Sequence, residues 1–433
     1  MNIIVKVITY IYMNKLSYIL FFSYILLSII CIYTPSYVYD IDFWNRWAFK
    51  ISTSGLFSIY LTQKDFNYPP ILGYILKIIF IDCKTFYDIS HYAYRLKIFT
   101  LFFDFFPLYF AYKYVKFVKI DIKVLLYFLM NIALFYNTMF WGQIDAIYTC
   151  MCFVAITAII LNKNIIGIPT FVLSLLVKLQ GIVFLPLVFL LVLFNIINYK
   201  KLKEVLIGFG ISIILIFIIS YPFIKASGYN NFIATYIKSI GYYPILSFNA
   251  YNIWYFFHKD VHRIVDTYPL IYNLNFHQIG LILFCIFSFV TLIPLFVYLY
   301  RILKKKQSII IKYYFELVML TSAILFICFF NFNTQMHERY SHPMVLFMGM
   351  YVISSEKWKL YILASIFYFI NLEGVNNVIF GQPKKIENLV HGIKFIDNPI
   401  WSIQYSNELI VSFIFQLIFI YSIYILYKFY FKK

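Results

Sequence analysis

A short polar stretch lies between two long apolar runs in the last third of the chain. It covers residues 331–343, Asn-Phe-Asn-Thr-Gln-Met-His-Glu-Arg-Tyr-Ser-His-Pro, with Ile309–Phe330 before it and Met344–Ile353 after it. Ionisable side chains are costly to hold between membrane-compatible segments, so a functional site is the first hypothesis. The alternative is a polar hairpin at the water interface, but such turns are usually built from Gly, Asn and Ser.

The charged residues of this stretch suit anion binding better than zinc binding. His337 and His342 are five positions apart, roughly 140° around a helix at 3.6 residues per turn. They therefore cannot share a face, as the two zinc ligands of a His-Glu-x-x-His protease do. The planar guanidinium of Arg339 instead suits the oxygens of a phosphate.

Two carboxylates, Asp40 and Asp42, follow the first apolar run within Tyr-Asp-Ile-Asp-Phe-Trp-Asn-Arg-Trp-Ala at residues 39–48. The pKa of a carboxyl near a membrane is raised by desolvation or lowered by a nearby cation. Either tuning suits a general base or a metal ligand. A solvated acidic loop is the equal alternative, because Asp-x-Asp alone is a weak signal.

Three shorter motifs combine polar side chains with helix signals. Tyr68-Pro69-Pro70 predicts a helix start, because proline fits the first helical turn. Trp-Gly-Gln-Ile-Asp at residues 141–145 predicts a tight turn followed by a helix, in whose first turn Asp145 is stabilised, so capping and function are equal interpretations. Lys178, two residues before Gln180 at the end of an apolar run, either snorkels to the interface or pairs with a phosphate.

An amide-rich motif, Ser-Phe-Asn-Ala-Tyr-Asn-Ile-Trp, occupies residues 247–254. Its amides, Asn249 and Asn252, are three positions apart and would share one helical face, with Trp254 close behind. Amides and aromatic rings together suit the recognition of sugar hydroxyls. An interfacial belt of Tyr and Trp is the alternative interpretation.

The composition of the whole chain is that of a polytopic membrane protein. Hydrophobic residues make up 63% and charged residues only 12%, whereas a soluble domain has about 25% charged residues. The net charge of +18 indicates the positive-inside bias of membrane proteins rather than nucleic-acid binding. The six cysteines include no Cys-x-x-Cys pair, so neither a zinc site nor a disulfide framework is indicated.

The apolar runs predict about twelve spans, since a span needs about 20 apolar residues. They are residues 16–33, 92–112, 124–140, 145–161, 165–180, 182–197, 205–223, 278–300, 312–330, 343–353, 359–372 and 409–427. The predicted fold is an all-α, polytopic transmembrane helical bundle that forms one membrane domain, residues 1–433. Three longer outer loops, 34–91, 224–277 and 373–408, are expected to contain short interfacial helices.

The distribution of Lys and Arg predicts that both termini are cytoplasmic. With that orientation, the short inner loops hold more than half of the 36 Lys and Arg residues and few acidic residues, as in Lys-Lys-Leu-Lys at 200–203. All of the polar motifs then fall on the outer face. None of them was used to set the topology, so their agreement supports it.

Taken in order, these motifs resemble those of the GT-C superfamily of integral-membrane glycosyltransferases that use polyprenyl-phosphate sugars, in particular its bacterial mannosyltransferase-like members. The matching elements are Asp40 before Trp-x-x-Trp-Ala, then Tyr-Pro-Pro, Trp-Gly-Gln-x-Asp-Ala, Lys-x-Gln, Asn-Ala-x-Asn-x-Trp and Met-His-Glu-Arg-Tyr-x-x-Pro. The resemblance runs from about residue 40 to 343 and covers nothing beyond about 375. Asp42 leaves the choice of catalytic acid open, although the spacing to Trp-Ala favours Asp40.

The resemblance implies transfer of a hexose, such as mannose, from a polyprenyl-phosphate donor to a hydroxyl of a glycan, lipid or protein at the outer face, with inversion. Asp40 would be the general base, with Asp42 as the second catalytic candidate. His337, Arg339 and Lys178 would stabilise the leaving phosphate. The residues expected to contact substrates are Glu338, Tyr340, Asn249, Asn252, Trp254, Gln143, Asp145, Gln180 and Tyr68.

No cofactor is assigned from the sequence. Family members that use lipid monophosphates often work without metal, so a divalent ion is compatible with the motifs but not indicated by them. A retaining mechanism would need a second carboxylate as nucleophile, a role open to Asp42. The expected location is the bacterial cell membrane, or the endoplasmic reticulum membrane in a eukaryotic host.

Two other classes of membrane protein are compatible with the same loops. A transporter or lipid flippase often has internal repeats and a site at the bilayer midplane, whereas this sequence has no evident repeat, and among the acidic residues only Asp104 and Glu316 lie in the middle of predicted spans. A polymerase or ligase of cell-surface glycans would share the polar outer loops, and the sequence leaves it open.

Overall fold

The computed structural model describes residues 22–118, 131–239, 241–258, 260–376 and 407–431, together with Ile19. These residues are mostly helical with a few short strands, which confirms the predicted all-α membrane class. Within the described ranges, five helices are long and apolar enough to cross a membrane: Leu179–Tyr199, Leu202–Ser227, Phe276–Lys305, Ile311–Phe332 and Glu408–Phe429.

The elements of the first half of the chain form a series of helices separated by short turns. They are α1 (Phe22–Ile32), α2 (Val38–Ser54), α3 (Ile59–Thr62), α4 (Pro70–Ile79), α5 (Phe86–His91), α6 (Tyr94–Tyr114), α7 (Ile132–Tyr136), α8 (Asp145–Ile160), α9 (Asn164–Val177) and α10 (Leu185–Tyr199). A π-helical turn, Asn137–Trp141, connects α7 to the segment before α8, and a 3₁₀ turn, Leu179–Phe184, precedes α10.

The second half contains the longest helices and the strands. They are α11 (Leu202–Ser227), α12 (Tyr229–Ser239), β1 (Ser247–Phe248), β2 (Pro269–Ile271), β3 (Leu274–Asn275), α13 (Phe276–Lys305), α14 (Ile311–Phe332), β4 (Met336–His337), α15 (His342–Ser355), α16 (Trp358–Asn376) and α17 (Asn407–Phe431). Two further 3₁₀ turns are Ile253–Phe256 and Glu338–Ser341.

The five long helices coincide with the predicted spans 182–197, 205–223, 278–300, 312–330 and 409–427. The other predicted spans overlap helices that are shorter or more polar, and the number twelve stays a prediction. The first parts of spans 16–33 and 124–140, and most of the predicted loop 373–408, lie outside the described residues.

The core of the bundle surrounds α14. Of its most apolar 18-residue window, 94% is buried inside the protein, against 17% for α11. Helices α13, α15 and α17 pack against α14, and a second layer is formed by α8 against α6 and α9. The polar stretch 331–343 therefore begins at the end of the most buried helix and is enclosed by the bundle.

The predicted outer loop 34–91 forms a compact helical layer. Helix α2 packs on α4 and α5 through buried Trp44, Trp47 and Ile51. Helix α4 begins at Pro70 directly after Pro69, so the predicted helix start is confirmed.

A two-residue parallel strand pair joins the loop 224–277 to the polar stretch. Ser247 pairs with Met336 and Phe248 with His337. The antiparallel pair β2–β3 closes the same loop just before α13. The backbone of the loop thus fixes the backbone that carries the histidine and arginine of the late motif.

Candidate functional site

Residues from four of the polar motifs meet in one cleft at the end of α14. The cleft has a volume of about 290 Å³ and is walled by α2, the segment before α4, the turn after α9 and the turn after β4. The predicted site residues in its wall are Asp40, Tyr68, Lys178, Gln180, His337, Arg339 and Tyr340. Groups from the start and the last third of the chain therefore meet in one place.

Asp40 lies in the first turn of α2, where the helix dipole favours a negative charge. Its Oδ2 accepts hydrogen bonds from Trp141 Nε1 at 2.6 Å and Gln143 Nε2 at 2.5 Å, and lies 3.5 Å from Arg339 Nη1. Within the described part of the chain no residue hydrogen-bonds Oδ1 of Asp40, so this oxygen is available to a ligand. Gln143 is 1% exposed and its amide holds Asp40, so its substrate contact stays a prediction.

The turn that supplies the two donors to Asp40 depends on a glycine. Gly142 has φ 78°, in the left-handed region, and a Cβ at this position would lie 2.8 Å from Ser36 Oγ. Only glycine fits that turn without strain. The tight turn predicted from the sequence is therefore confirmed, and it brings Trp141 and Gln143 to the same carboxylate.

Asp42 lies outside the cleft wall, although it is only two residues from Asp40. Residues two apart on a helix project about 200° from each other. The half-exposed Asp42 carboxylate accepts from Arg46 Nε at 2.8 Å, and Arg46 Nη1 also contacts Asp65 Oδ2 at 3.2 Å. A catalytic role for Asp42, as base or as nucleophile, is therefore not supported by its position.

His337 is held among aromatic rings. The ring centroids of Phe248, Tyr340 and Tyr243 lie 4.6, 5.1 and 5.5 Å from the imidazole. Its Nδ1 lies 3.4 Å from Arg339 Nη1, and because arginine can only donate, Nδ1 accepts. Burial, together with the charges of Arg339 and Lys178, lowers the pKa of His337 well below its usual value, so the imidazole is neutral.

Arg339 contacts two carboxylates with one nitrogen. Its Nη1 lies 3.0 Å from Glu338 Oε1 and 3.5 Å from Asp40 Oδ2. One guanidinium carries a single charge and cannot neutralise both carboxylates. Burial raises the pKa of Glu338 to about 7. Glu338 is 2% exposed, is absent from the cleft wall and orients Arg339, and its substrate contact stays a prediction.

Lys178 forms a buried ion pair with Asp145. The rings of Tyr340, Tyr148 and Tyr68 lie with their centroids 5.1, 5.6 and 5.7 Å from the ammonium. Since the side chain is only 4% exposed, snorkelling does not explain it. Asp145 is fully buried at the start of α8, where it pairs with the lysine, and its substrate contact stays a prediction.

The buried carboxylate of Asp266 fixes the beginning of the polar stretch 331–343. Asp266 Oδ2 accepts from Thr334 Oγ1 at 2.7 Å and from Gln335 Nε2 at 2.8 Å, and lies 3.4 Å from His277 Nδ1. Burial disfavours its charge, but these hydrogen bonds outweigh burial and lower the pKa of Asp266. Gln335 has φ 63°, and this network holds it in that left-handed conformation.

The amide-rich motif does not reach the cleft. The fully buried Asn252 donates to Phe330 O at 3.1 Å, and Trp254 Nε1 donates to Asn333 O at 3.1 Å. Asn249, with φ 64°, lies at the end of β1, where its carbonyl accepts from an amide of α16. Asn252 and Trp254 therefore hold the end of α14, and Asn249 is held by α16. The sugar contacts of these three residues stay a prediction.

Several residues of the cleft wall were not predicted as site residues. Trp44 and Trp47 form its aromatic floor, and Tyr243 faces His337. Asn67 also lines the cleft, and among the described residues no side chain or backbone group hydrogen-bonds its amide. The only sequence signal for Asn67 was its place directly before Tyr68-Pro69-Pro70.

In the ranges that the structure describes, no group of three or more His, Cys, Asp or Glu side chains is arranged to hold a metal ion. Neither a protein-family model nor a curated protein matches the sequence. The functional assignment therefore rests on the motifs and on the cleft in which they meet. Chemically, the cleft combines one accessible carboxylate oxygen with a lysine and an arginine.

Proposed function

We propose that this protein is a membrane glycosyltransferase of the GT-C type that moves a hexose, such as mannose, from a polyprenyl-phosphate donor to an acceptor hydroxyl. The observation that carries the proposal is the pairing of Asp40 with Arg339 at 3.5 Å in the wall of one cleft. A base for the acceptor and a cation for the leaving phosphate must line the same cleft to act on opposite faces of one reacting carbon.

The reaction is a single displacement. Asp40 Oδ1 takes the proton of the acceptor hydroxyl, whose oxygen attacks the anomeric carbon while the bond to the phosphate oxygen breaks and the phosphate keeps the electron pair. General-base catalysis of this kind contributes roughly 10²–10⁴ in rate. One displacement inverts the anomeric carbon.

The other carboxylate in the wall is not free to act as a nucleophile. Asp65 Oδ1 accepts from Gln63 Nε2, and Asp65 Oδ2 accepts from Arg46 Nη1 at 3.2 Å. A retaining mechanism needs a second carboxylate whose oxygen can attack carbon. Because both Asp65 oxygens already accept hydrogen bonds within the protein, inversion is favoured over retention.

The leaving phosphate is stabilised by Lys178 and Arg339, with neutral His337 as a hydrogen-bond partner. Donors that are already in place where charge develops contribute strongly, because they need no reorganisation during the reaction. The lysine is fixed by Asp145, and the arginine is fixed by Glu338. Both cations therefore have their positions before the donor arrives.

The apolar side of the cleft supports a lipid-linked donor. Ile182, in the membrane-crossing segment Leu179–Tyr199, and Phe329, near the end of α14, belong to the same wall as Lys178. Ile182 is 53% exposed on the protein surface. A donor with its phosphate at Lys178 would extend its polyprenyl chain between these two helices into lipid.

The finer assignments belong to the same proposal. The chain has about twelve spans, its termini are cytoplasmic and its cleft opens at the outer face of a bacterial cell membrane. The acceptor is a hydroxyl of a glycan, lipid or protein that reaches this face.

The test is a transfer assay with purified protein in lipid vesicles, labelled polyprenyl-phosphate hexoses and hydroxyl acceptors. We expect labelled product with inverted anomeric configuration from a lipid-linked hexose and none from the corresponding nucleotide sugar. Movement of the intact lipid-linked sugar across the bilayer without transfer would identify a flippase. Repeated addition to a lengthening glycan would identify a polymerase.

A further inference from the structure

A buried polar cluster lies behind the cleft, and the proposed chemistry does not use it. It consists of Asp104 in α6, Asn137 and Thr138 in the π-helical turn, and His342 at the first position of α15. Each of the four is 4% exposed or less. Polar groups in such positions are costly, so their mutual contacts need an explanation.

His342 connects the other members of the cluster. Its Nδ1 lies 3.3 Å from Asn137 Nδ2, and its Nε2 lies 3.7 Å from Asp104 Oδ1. Because an amide nitrogen can only donate, Nδ1 accepts and Nε2 carries the hydrogen that faces the carboxylate. Thr138 Oγ1 donates to the other oxygen of Asp104 at 2.6 Å.

On one side, this cluster fixes the turn that holds Asp40. The carbonyl of Asn137 accepts from the backbone N–H of Gln143 at 3.1 Å. The side chains of Trp141 and Gln143 are the two hydrogen-bond donors to Asp40 Oδ2. The position of Asn137 therefore determines where the donors to Asp40 lie.

On the other side, the cluster fixes the turn that carries Arg339. The 3₁₀ turn Glu338–Ser341 ends at His342. Tyr368 OH donates to the carbonyl of Arg339 at 3.3 Å, and its ring meets the imidazole of His342 edge-on with centroids 6.4 Å apart. The backbone of Arg339 is thus tied to the same histidine.

We propose that His342, held between Asp104 and Asn137, is a positioning residue that sets the distance between Asp40 and Arg339. This inference rests on the proposed function. His342 is fully buried and does not line the cleft, so it acts only through the two turns. A misplacement of reacting groups by about 1 Å can cost about 10²-fold in rate.

The test measures kcat and the donor KM for reconstituted variants. We expect His342→Leu to lower kcat by about 10²-fold and to leave KM unchanged, because Lys178 and the cleft wall are retained. His342→Gln places an amide that can reach Asp104 and should restore most of the rate. Thr138→Val keeps the size of the side chain and should lower kcat in the same direction by less.

Glu316 provides the matched control. It is a buried carboxylate that accepts from Ser354 Oγ at 2.8 Å and thereby joins α14 to α15. Glu316→Leu removes a polar partner of similar burial and should leave the kcat of the folded fraction unchanged.

Three results would overturn the inference: parental kcat in His342→Leu, a loss confined to KM, or an equal loss of kcat in Glu316→Leu. If His342→Leu does not fold, parental kcat in Thr138→Val decides against it. Failure of the proposed function is a separate result, because the parent protein itself would then transfer no sugar.

Discussion

Two ion pairs beside the cleft differ in how closely their charges are paired and how deeply they are buried. Lys178 and Asp145 form a closed pair with side chains 4% and 0% exposed. Arg339 and Asp40 are 3.5 Å apart, with side chains 10% and 15% exposed. Tyr340 lies between the cations, with its ring centroid 5.1 Å from the lysine and 5.7 Å from the arginine.

The difference separates a fixed charge from a reactive one. A closed buried pair holds its geometry, because removing one partner leaves an uncompensated charge in a low-dielectric site. A looser, partly exposed pair can accept a substrate between its members. In the proposed mechanism, the closed pair of Lys178 and Asp145 fixes a cation in the wall. The looser pair of Arg339 and Asp40, the open pair, provides the base and a second cation.

Loss of the base should have the largest effect. Asp40→Asn should lower kcat by roughly 10²–10⁴-fold, because the amide cannot take the acceptor proton, while membrane insertion is unchanged. Asp42→Asn is the matched control and should keep nearly full activity, since Asp42 lies outside the cleft wall and pairs with partly exposed Arg46. Equal activity of Asp40→Asn and the parent in the transfer assay would remove the base from the mechanism.

Breaking the closed pair should mainly lower stability. Asp145→Asn leaves the Lys178 ammonium buried without a counter-charge, which should cost about 3–5 kcal/mol. Thermal unfolding in detergent measures the change. The control, Lys201→Gln, breaks the more exposed pair with Glu204 and should change stability by less than about 1 kcal/mol. Equal melting temperatures for Asp145→Asn and the control would contradict the comparison.

Arg339→Lys keeps the charge of the open pair but removes the planar fork. The ammonium cannot contact Asp40, Glu338 and a phosphate at once, so kcat should fall by on the order of 10²–10³-fold. Arg46→Lys, at the exposed rim, should stay close to the parent. Single-turnover rates at saturating donor measure both variants, and a parental rate for Arg339→Lys would show that the guanidinium geometry is not needed.

Glu338→Gln should remove a pH dependence of stability. The pKa of Glu338 is raised by burial from 4.5 to about 7, so between these values the folded chain keeps a proton that the unfolded chain releases. The parent should therefore lose stability as pH rises through this window, by about 3 kcal/mol. Melting temperatures from pH 4.5 to 8 should show a smaller decline for Glu338→Gln, and parallel curves would contradict the assignment.

The long helices could be predicted from the sequence because a run of about 20 apolar residues is a local signal. The ends of α11 and α13 extend past the predicted spans, to Ser227 and from Phe276, because helix ends depend on neighbouring contacts. The number of spans is harder to predict from shorter helices such as α8 and α9, whose lengths overlap those of buried core helices.

The charged centre of the site could also be predicted in part. The resemblance predicts Asp40, Lys178 and Arg339 as site residues, whereas the residues alone leave Asp40 and Lys178 open, and all three line the cleft. The resemblance also predicts substrate contacts for Asn252 and Glu338, but a sequence does not show which polar groups the protein itself satisfies. In the folded chain, the backbone holds the amide of Asn252 and Arg339 holds the carboxylate of Glu338.

The parallel pairing of β1 with β4 has a consequence for protein engineering. Phe248 pairs with His337 through the main chain, so two segments that are distant in the sequence depend on each other for their backbone positions. A chimera that imports residues 331–343 from a protein with the same motifs should fail unless the segment around 245–255 is imported with it. If the proposed function is correct, substrate preference should therefore change when both segments are exchanged together, and not when one loop is transferred alone.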